Sequence, residues 1–262
     1  MENKLTFYKY QGTGNDFVMI DNRENVLQHN NVKTIEFLCD RRFGVGADGL
    51  ILLENSPTAD FKMVYFNADG NQSTMCGNGG RCIVAFAKHL ELVDKNTLFE
   101  AIDGLHHASI DKDIVSLQMQ DVTDIKAHNN YLFLDTGSPH HVQFENDILN
   151  FDIKTLGKKI RNEIYGTAGS NVNFVKKIND TTYKMRTYER GVEDETLACG
   201  TGATAVALAM HKKRDTTATT IDLQVEGGNL QVSFNEKEGK YSQIFLTGKA
   251  IQVFKGKIVC KL

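Results

Sequence analysis

Two cysteines of this chain stand in matching glycine-rich turns, Cys76-Gly77-Asn78-Gly79 and Cys199-Gly200-Thr201-Gly202. Each turn is followed by a run of small and apolar residues, which predicts a buried helix that begins beside the cysteine. A cysteine at the start of a helix faces unpaired backbone N–H groups and the positive end of the helix dipole, and both favour the thiolate. The two turns therefore predict two reactive thiols.

The repeat predicts two similar halves, each of which brings one cysteine and one anion-binding turn to a common site. A thiol and a thiolate that face one carbon from opposite sides can remove one proton and supply another, and so invert that carbon. Backbone N–H groups of Gly77-Asn78 and Gly200-Thr201 are placed to hold the adjacent carboxylate and stabilise the developing negative charge. On this interpretation the reaction needs no cofactor.

Further candidate groups precede the second cysteine turn. Glu189 and Arg190 end a predicted strand, where the guanidinium could grip a carboxylate with two hydrogen bonds; the alternative is a pair of surface charges. His140 and His141 are predicted to precede a strand that starts at Val142. A zinc site there is disfavoured, because the chain has no Cys-x-x-Cys or His-x-x-x-His spacing. A hydrolase with a cysteine nucleophile and His140 as its base stays open.

Strand patterns separated by glycine-rich or polar turns dominate the chain. Helical spacing interrupts them at Val32–Arg42, Gly79–Leu90, Asp152–Glu163 and in the run after Cys199. The polar, aperiodic stretch from Asp121 to Asn130 predicts a boundary between halves, and the strand pattern at Ile251–Phe254 predicts a return of the carboxyl end to the first half. The predicted domains are residues 1–121 plus 250–262, and residues 122–249.

Composition excludes several classes of function. The 30 lysines and arginines nearly balance 33 aspartates and glutamates, so nothing favours binding to nucleic acid or to an anionic membrane. Residues 1–8 lack the apolar core of a signal peptide, and no later run is long enough to span a membrane, which predicts a cytoplasmic protein. The motif Gly12-x-Gly14 lacks the third glycine and the helix of a dinucleotide site, so nucleotide binding is disfavoured.

The five cysteines are an odd number, scattered along a chain too large to need disulfide staples. Reduced thiols are therefore expected. Cys39 and Cys82 fall inside helical patterns and are predicted to pack in the core rather than to react.

Seven short motifs carry a family resemblance: Gly14-Asn15-Asp16-Phe17, Gly44–Gly49, Phe66–Gly70, Met75–Gly79, Ser170-Asn171-Val172, Glu189-Arg190-Gly191 and Ala198–Gly202. In this order, and over nearly the whole chain, they closely resemble the diaminopimelate epimerases. The pair of cysteine turns is the specific part of the resemblance. It implies an α+β fold of two pseudo-symmetric halves, each a mixed or antiparallel sheet wrapped around a central helix, with the active site in the cleft between them.

The resemblance also implies a cofactor-independent, metal-independent epimerisation of LL-2,6-diaminopimelate to the meso isomer, in lysine and peptidoglycan precursor biosynthesis. Cys199 then looks like the base for the LL isomer and Cys76 like the acid on the opposite face. The other implied roles fall into three sets: Gly77, Asn78, Gly200 and Thr201 hold the reacting carboxylate, Asn15, Asn67, Asn171 and Arg190 fix the distal end of the substrate, and His140 and Glu189 tune the thiols.

Two positions depart from the family pattern. Ser138 stands where many members carry asparagine, so a direct substrate contact is expected to be lost or made through water. Phe254 stands where the family usually has a tyrosine of the dimer interface, so a homodimer of this chain is expected to lack that hydrogen bond.

Two rival functions share these features. Proline and hydroxyproline racemases have the same implied architecture and cysteine pair, but they usually carry histidine near the first cysteine, whereas this chain has Cys76-Gly77-Asn78-Gly79 and Glu189-Arg190-Gly191. A non-catalytic binding protein on the same scaffold is disfavoured because both thiols are present.

Overall fold

The computed structural model describes residues 3–150 and 152–260. The chain divides into two compact units, Met1–Leu117 with Lys249–Leu262 (unit 1) and Gln118–Gly248 (unit 2). Each unit combines a mixed sheet with helices, so the predicted α+β class is confirmed. None of the helices in the described residues is long and apolar enough to cross a membrane.

Unit 1 is built on a mixed sheet. Its strands are β1 (Asn3–Gly12), β2 (Asn15–Asp21), β3 (Gly49–Glu54), β4 (Phe61–Asn67), β5 (Asn96–Ala101), β6 (Gly104–Asp111), β7 (Ile114–Gln118) and β17 (Ile251–Cys260). Strand β1 pairs antiparallel with both β17 and β2, while β2 runs parallel to β3 and β4 runs parallel to β5. The pairing of β17 with β1 confirms the predicted return of the carboxyl end.

Helix α2 (Gly77–His89) is the central helix of unit 1, and α1 (Val32–Cys39) lies against β3. Strands β1 to β4, β6 and β17 contact α2, and its residues from Gly77 to Val84 are all buried. Strand β1 can approach α2 closely because Gly12 has no side chain. A Cβ at Gly12 would lie 3.1 Å from the Asn78 carbonyl oxygen and 3.2 Å from Cys82 Sγ. Thr13 and Gly14 then close a two-residue turn with positive φ angles of 57° and 86°.

The strands of unit 2 also pair in a mixed, parallel and antiparallel pattern. Its strands are β8 (Ile125–Ala127), β9 (Tyr131–Asp135), β10 (Pro139–Phe144), β11 (Asn171–Lys177), β12 (Thr182–Glu189), β13 (Asp194–Thr196), β14 (Thr220–Val225), β15 (Gly228–Lys237) and β16 (Lys240–Lys249). Strands β10 and β11 are parallel, as are β12 and β14, and the other pairs are antiparallel.

Helix α4 (Gly200–Lys212) is the central helix of unit 2, contacted by β9 to β12, β14 and β15. Its apolar run from Gly202 to Met210 is buried on every side, as expected for a helix without a polar face. Helix α3 (Ile153–Tyr165) lies against β11 to β13 and is capped by Asp152, whose side chain accepts a hydrogen bond from the Thr155 backbone N–H. Both units therefore have the predicted arrangement of a sheet around a central helix.

Several predicted boundaries were wrong. Helix α1 ends at Cys39 instead of Arg42, because Asp40 is extended and its carboxylate accepts the backbone N–H groups of Arg42 and Phe43 in a turn. Strand β10 starts at Pro139 instead of Val142, since proline is tolerated as the first residue of a strand. Strands β5, β8 and β13 have no clear apolar alternation and were not predicted. Cys39 and Cys82 are buried, as predicted.

Candidate active site

Cys76 and Cys199 occupy the same structural position in their respective units. Each has an extended backbone and is the N-cap of the central helix, with Gly77 and Gly200 as the first helical residues. Their carbonyl oxygens accept the first helical hydrogen bonds, from Gly80 N at 2.7 Å and from Ala203 N at 2.9 Å. The predicted placement of both cysteines at helix starts is confirmed, and the first N–H groups of a helix form an anion-binding end.

In unit 1, two of the predicted binding residues lie beside Cys76. Its Sγ donates to Asn15 Oδ1 at 3.6 Å, and Asn78 Nδ2 donates to the same oxygen at 3.3 Å. Asn15 Nδ2 in turn donates to Asp48 Oδ2 at 2.6 Å. Asn67 is exposed at the end of β4. Phe17 of β2 lies beside Gly49 of β3, and Gly49 lies beside Asn67, so Asn67 and Asn15 lie at the same end of these strands.

Ion pairs that the sequence analysis missed stabilise unit 1 at this end of the strands. Asp16 pairs with Lys9 and with Arg41, both at 2.7 Å, and Arg41 also pairs with Asp48 at 2.7 Å. These ion pairs join residues that lie 7 to 25 positions apart, without a local pattern, so the sequence gives no signal for them. The cluster holds Asp48 where Asn15 can donate to it.

Arg81 is a second functional candidate that the sequence analysis missed. Its guanidinium is fully buried in α2, and its partners in the described residues are neutral oxygens. Nη1 donates to Gly77 O at 3.3 Å, and Nη2 donates to Thr13 Oγ1 at 2.8 Å and to Asn78 Oδ1 at 2.9 Å. Its Nε has no partner within the described residues. Burial lowers the pKa of Arg81, and negative charge on Cys82 or Cys76 would raise it. Since burial raises the pKa of Cys82 to about 12, this cation faces one potential thiolate, Cys76.

In unit 2, a chain of hydroxyl groups joins His140 to Cys199. His140 Nε2 lies 3.0 Å from Ser138 Oγ, Ser138 Oγ lies 3.3 Å from Thr201 Oγ1, and Thr201 Oγ1 lies 3.5 Å from Cys199 Sγ. His140 and Cys199 are buried, whereas Ser138 and Thr201 are half-buried. His140 therefore contacts the cysteine through two intervening side chains.

Buried amides support this chain from β11. Asn173 Nδ2 contacts His140 Nδ1 at 3.1 Å and donates to His141 O at 2.9 Å, while its Oδ1 accepts from the Thr187 hydroxyl at 2.9 Å. Asn171 Nδ2 donates to Ser138 Oγ at 3.1 Å. Burial, and secondarily the charge of Arg190, lower the pKa of His140 to about 3, so its imidazole is neutral at physiological pH.

Glu189 is the last residue of β12, and Arg190 follows it. Glu189 is half-buried, and its Oε2 accepts the Thr196 hydroxyl at 2.9 Å, which holds the carboxylate near the start of the second cysteine turn. The Arg190 side chain is exposed and donates to Ala168 O at 3.1 Å, while its backbone N–H donates to Asn171 Oδ1 at 2.9 Å. Arg190 thus anchors a site amide through its backbone and leaves most of its guanidinium facing solvent.

The two adjacent histidines have different surroundings. Successive side chains of a strand point to opposite faces, so His140 and His141 do not converge. His141 contacts the Tyr165 hydroxyl at 3.0 Å and Gln143 Oε1 at 3.2 Å. Among residues 3–150 and 152–260, no group of three or more histidine, cysteine, aspartate or glutamate side chains is placed to hold a metal ion.

The free energy of unfolding is expected to fall as the pH falls below about 6.5, because histidines take up a proton in the unfolded chain more readily than His140 and His141 do when folded. Burial lowers the pKa of His141 to about 4 and that of His140 to about 3. Each is expected to remove about 1.4 kcal/mol between pH 7.5 and pH 5.5. Urea unfolding at the two pH values measures the loss; H141Q should abolish about half of it, and an unchanged loss in H141Q would contradict the assignment.

Comparisons with known proteins identify relatives of this chain. The sequence profile of the family described as diaminopimelate epimerase matches residues 7–123 and 132–253. The diaminopimelate epimerase of Flavobacterium psychrophilum is 59% identical over 256 residues, which cover 97% of this chain and 100% of that protein.

Two solved structures share the fold at low sequence identity. A phenazine biosynthesis protein of the PhzF family from Bacillus anthracis matches with a TM-score of 0.75 at 12% identity, covering 98% of this chain and 100% of that chain. A hydroxyproline epimerase from Agrobacterium vitis, with bound trans-4-hydroxy-L-proline, matches with a TM-score of 0.69 at 14% identity, covering 99% and 94% respectively. These matches agree with the predicted fold class.

Proposed function

Because the chain belongs to the diaminopimelate epimerase family, we propose that it converts LL-2,6-diaminopimelate to the meso isomer by two-base catalysis with Cys76 and Cys199. The observation that carries the proposal is that each unit presents one cysteine as the N-cap of its buried central helix. One acid and one base on matching elements are what inversion of a carbon requires.

The proposed step moves one proton on each face of the α-carbon. The Cys199 thiolate takes the α-proton and becomes a thiol, and the electron pair of the C–H bond spreads into the carboxylate. The Cys76 thiol gives its proton to the opposite face and becomes a thiolate. Each turnover thus exchanges the protonation states of the two sulfurs, and solvent protons must restore them before the next turnover in the same direction.

The N-termini of the two central helices are proposed to stabilise the carbanion that forms when the α-proton is removed. Backbone N–H groups at Gly77-Asn78 and Gly200-Thr201 would hold the reacting carboxylate, and both helix dipoles favour the added negative charge. Removing one such donor typically costs about 10²–10³-fold in rate. We assign His140 and Glu189 to tuning the thiols, which their hydrogen bonds to Ser138 and Thr196 support.

The distal amino-acid end of the substrate is assigned to Asn15, Asn67, Asn171 and Arg190. Asn15 accepts a hydrogen bond from Cys76, and Asn171 donates to Ser138 in the hydrogen-bonded chain that leads through Thr201 to Cys199. The Arg190 guanidinium is exposed and able to bind a carboxylate. Asn67 lies at the same end of the strands as Asn15. Ser138 Oγ accepts a hydrogen bond from Asn171, and its side chain is shorter than the asparagine that many family members carry at this position.

The test is incubation of the reduced protein with LL-diaminopimelate in D₂O, with NMR detection of deuterium at the α-carbon. Deuterated meso product is the expected result. Exchange with proline or hydroxyproline but not with diaminopimelate would favour the racemase function. No exchange with any of these substrates would overturn catalysis and favour a binding protein on the same scaffold.

We place the enzyme in the cytoplasm, in lysine and peptidoglycan precursor biosynthesis. Restored growth without added diaminopimelate, in a bacterium that lacks its own epimerase gene, would support this role.

We further propose a homodimer. Strand β17 exposes the apolar side chains of Val253, Phe254 and Val259, and an exposed apolar strand is a typical surface for a second copy. The Phe254 ring packs edge-on against Phe7 with centroids 5.9 Å apart. Light scattering is expected to give twice the 29.3 kDa chain mass for the native protein. The F254E variant should be monomeric, and a monomeric native protein would overturn the proposal.

A further inference from the structure

Arg81 is a buried charge of unit 1 that the proposed mechanism does not use. Its side chain is fully buried, and its partners in the described residues are neutral oxygens. Moving a cation from water into the protein interior costs free energy, which hydrogen bonds to neutral groups recover in part. A long apolar side chain could fill the same position without this cost. The guanidinium therefore points to a role beyond packing.

The hydrogen bonds of Arg81 join two elements of unit 1. Nη2 donates to Thr13 Oγ1 in the turn between β1 and β2, and also to Asn78 Oδ1 in the first turn of α2. Nη1 donates to Gly77 O, also in the first turn of α2. A guanidinium presents its N–H groups in a rigid planar fork, which fixes the positions of its acceptors relative to one another. We call Arg81 with its three acceptors the Arg81 clamp.

Thr13 has a backbone conformation that a threonine rarely adopts. Its φ angle is 57°, in the left-handed region, where β-branched side chains are strongly disfavoured. Among the described residues, Thr13 is the only β-branched residue with a positive φ. Hairpin turns of this kind prefer asparagine, aspartate or glycine at this position. Strain of this sort is found where a residue has a specific local task, and the Thr13 hydroxyl accepts the shortest hydrogen bond of the Arg81 clamp, at 2.8 Å.

The turn lies directly on the guanidinium and on the backbone of α2. A Cβ at Gly12 would lie 3.5 Å from Arg81 Nη2 and 3.1 Å from the Asn78 carbonyl oxygen. Thr13 and Arg81 are both buried, so water cannot easily replace a hydrogen bond that is lost between them. The Arg81 clamp is therefore the polar link that holds the turn in its position on α2.

The two elements that the Arg81 clamp joins carry the proposed binding groups of unit 1. Asn15 is the second residue after Thr13, and Asn78 is the second residue after Cys76. Because a guanidinium only donates, Arg81 fixes the Oδ1 atom of Asn78 on its own side. Asn78 Nδ2 is thereby directed to Asn15 Oδ1, to which it donates at 3.3 Å. The position of Asn15 relative to the start of α2 thus depends on Arg81.

We infer that Arg81 is a positioning residue for the proposed reaction, and that it acts by holding the Asn15 turn and the Gly77-Asn78 N–H groups in one fixed arrangement. The catalytic consequence rests on the proposed function, whereas the Arg81 clamp itself does not. These N–H groups are assigned to the charge that develops on the carboxylate as the α-proton leaves. Their misplacement is therefore expected to lower kcat more than it raises KM.

The kinetic test compares variants of Thr13 and Arg81 in the rate of diaminopimelate epimerisation. T13V removes the hydroxyl but keeps a β-branched side chain, so backbone strain is matched; it should lower kcat about tenfold or more, with KM within about threefold of native. R81K keeps the charge without the planar fork and should lower kcat about 10²-fold. T13S keeps the hydroxyl and should retain kcat within about threefold.

T97V is the matched control. It also removes a buried threonine hydroxyl of unit 1, which donates to Asp60 Oδ2 at 2.8 Å, and it should keep native kcat and KM. A loss of kcat in T97V as large as that in T13V, or a T13S variant as impaired as T13V, would overturn the role of the Thr13 hydroxyl.

Hydrogen–deuterium exchange of the free protein tests the Arg81 clamp without any substrate. Deuterium uptake in peptides that cover residues 11–16 and 75–80 should rise together in T13V and R81K, and should stay native in T97V. Unchanged uptake in T13V would overturn the Arg81 clamp, whether or not R81K folds. Raised uptake with native kcat, or with a change in KM alone, would overturn the positioning role. If the native protein does not epimerise diaminopimelate, the proposed function fails and the uptake alone decides on the Arg81 clamp.

Discussion

Epimerisation is expected to fall roughly 10²–10⁴-fold in both C76A and C199A, because each removes the acid or the base on one face of the α-carbon. Each variant keeps the thiol on the other face. The remaining thiolate can still remove the α-proton of the isomer that presents its C–H bond to it, and can return a solvent proton to the same face. Exchange without inversion is therefore expected to survive for one isomer in each variant.

The isomer that still exchanges its α-hydrogen in each variant shows which cysteine acts on which face of the α-carbon. In D₂O, C76A is expected to exchange the α-hydrogen of LL-diaminopimelate through Cys199, and C199A that of the D-centre of the meso isomer through Cys76. NMR of the recovered substrates measures both. The reverse pattern would exchange the assigned roles, and exchange of both isomers in either variant would contradict two-base catalysis. C260A is the control, since Cys260 lies at the end of β17, outside both cysteine turns.

The central placement of the two cysteines could be predicted because it depends on local sequence. A cysteine followed by small residues and then by an apolar run specifies both the extended N-cap and a helix that is buried on all sides. The same locality made α3 predictable, since Asp152 caps the helix that follows it.

The support of the site could not be predicted, because it depends on contacts between distant residues. Ser138 lies 33 residues from Asn171 and 63 from Thr201 along the chain, and Arg81 lies 68 from Thr13. No pattern of spacing marks such pairs. The sequence showed Ser138 only as a departure from the family pattern, whereas in the structure its hydroxyl joins His140, Asn171 and Thr201.

Gly202 is the position where one methyl group is expected to disturb the site most. A Cβ there would lie 2.6 Å from Asn173 Oδ1, 3.2 Å from Cys199 Cβ and 3.3 Å from Cys199 Sγ. Asn173 cannot move away easily, because it is fully buried and hydrogen-bonded to His140, His141 and Thr187. G202A should therefore displace both the Asn173 amide that contacts His140 and the Cys199 side chain.

The equivalent glycine of unit 1 provides the matched comparison. Gly79 is also the third residue after the cysteine, but a Cβ there would meet Ile51 Cδ1 at 3.0 Å, Met63 Cε at 3.3 Å and Phe17 Cε1 at 3.6 Å. The two nearest of these atoms are ends of flexible side chains. In both helices alanine gains about 0.8–1 kcal/mol in helix propensity over glycine, which offsets mild crowding at Gly79.

G202A is thus expected to lose about 1–3 kcal/mol of unfolding free energy through overpacking, and about 10²-fold in kcat/KM through misplacement of the reacting sulfur. G79A should change the unfolding free energy by less than about 1 kcal/mol. Urea unfolding gives the first quantity, and initial rates at a temperature where both variants are folded give the second. Native activity in G202A would show that Asn173 and His140 can shift without misplacing Cys199, and would contradict this prediction.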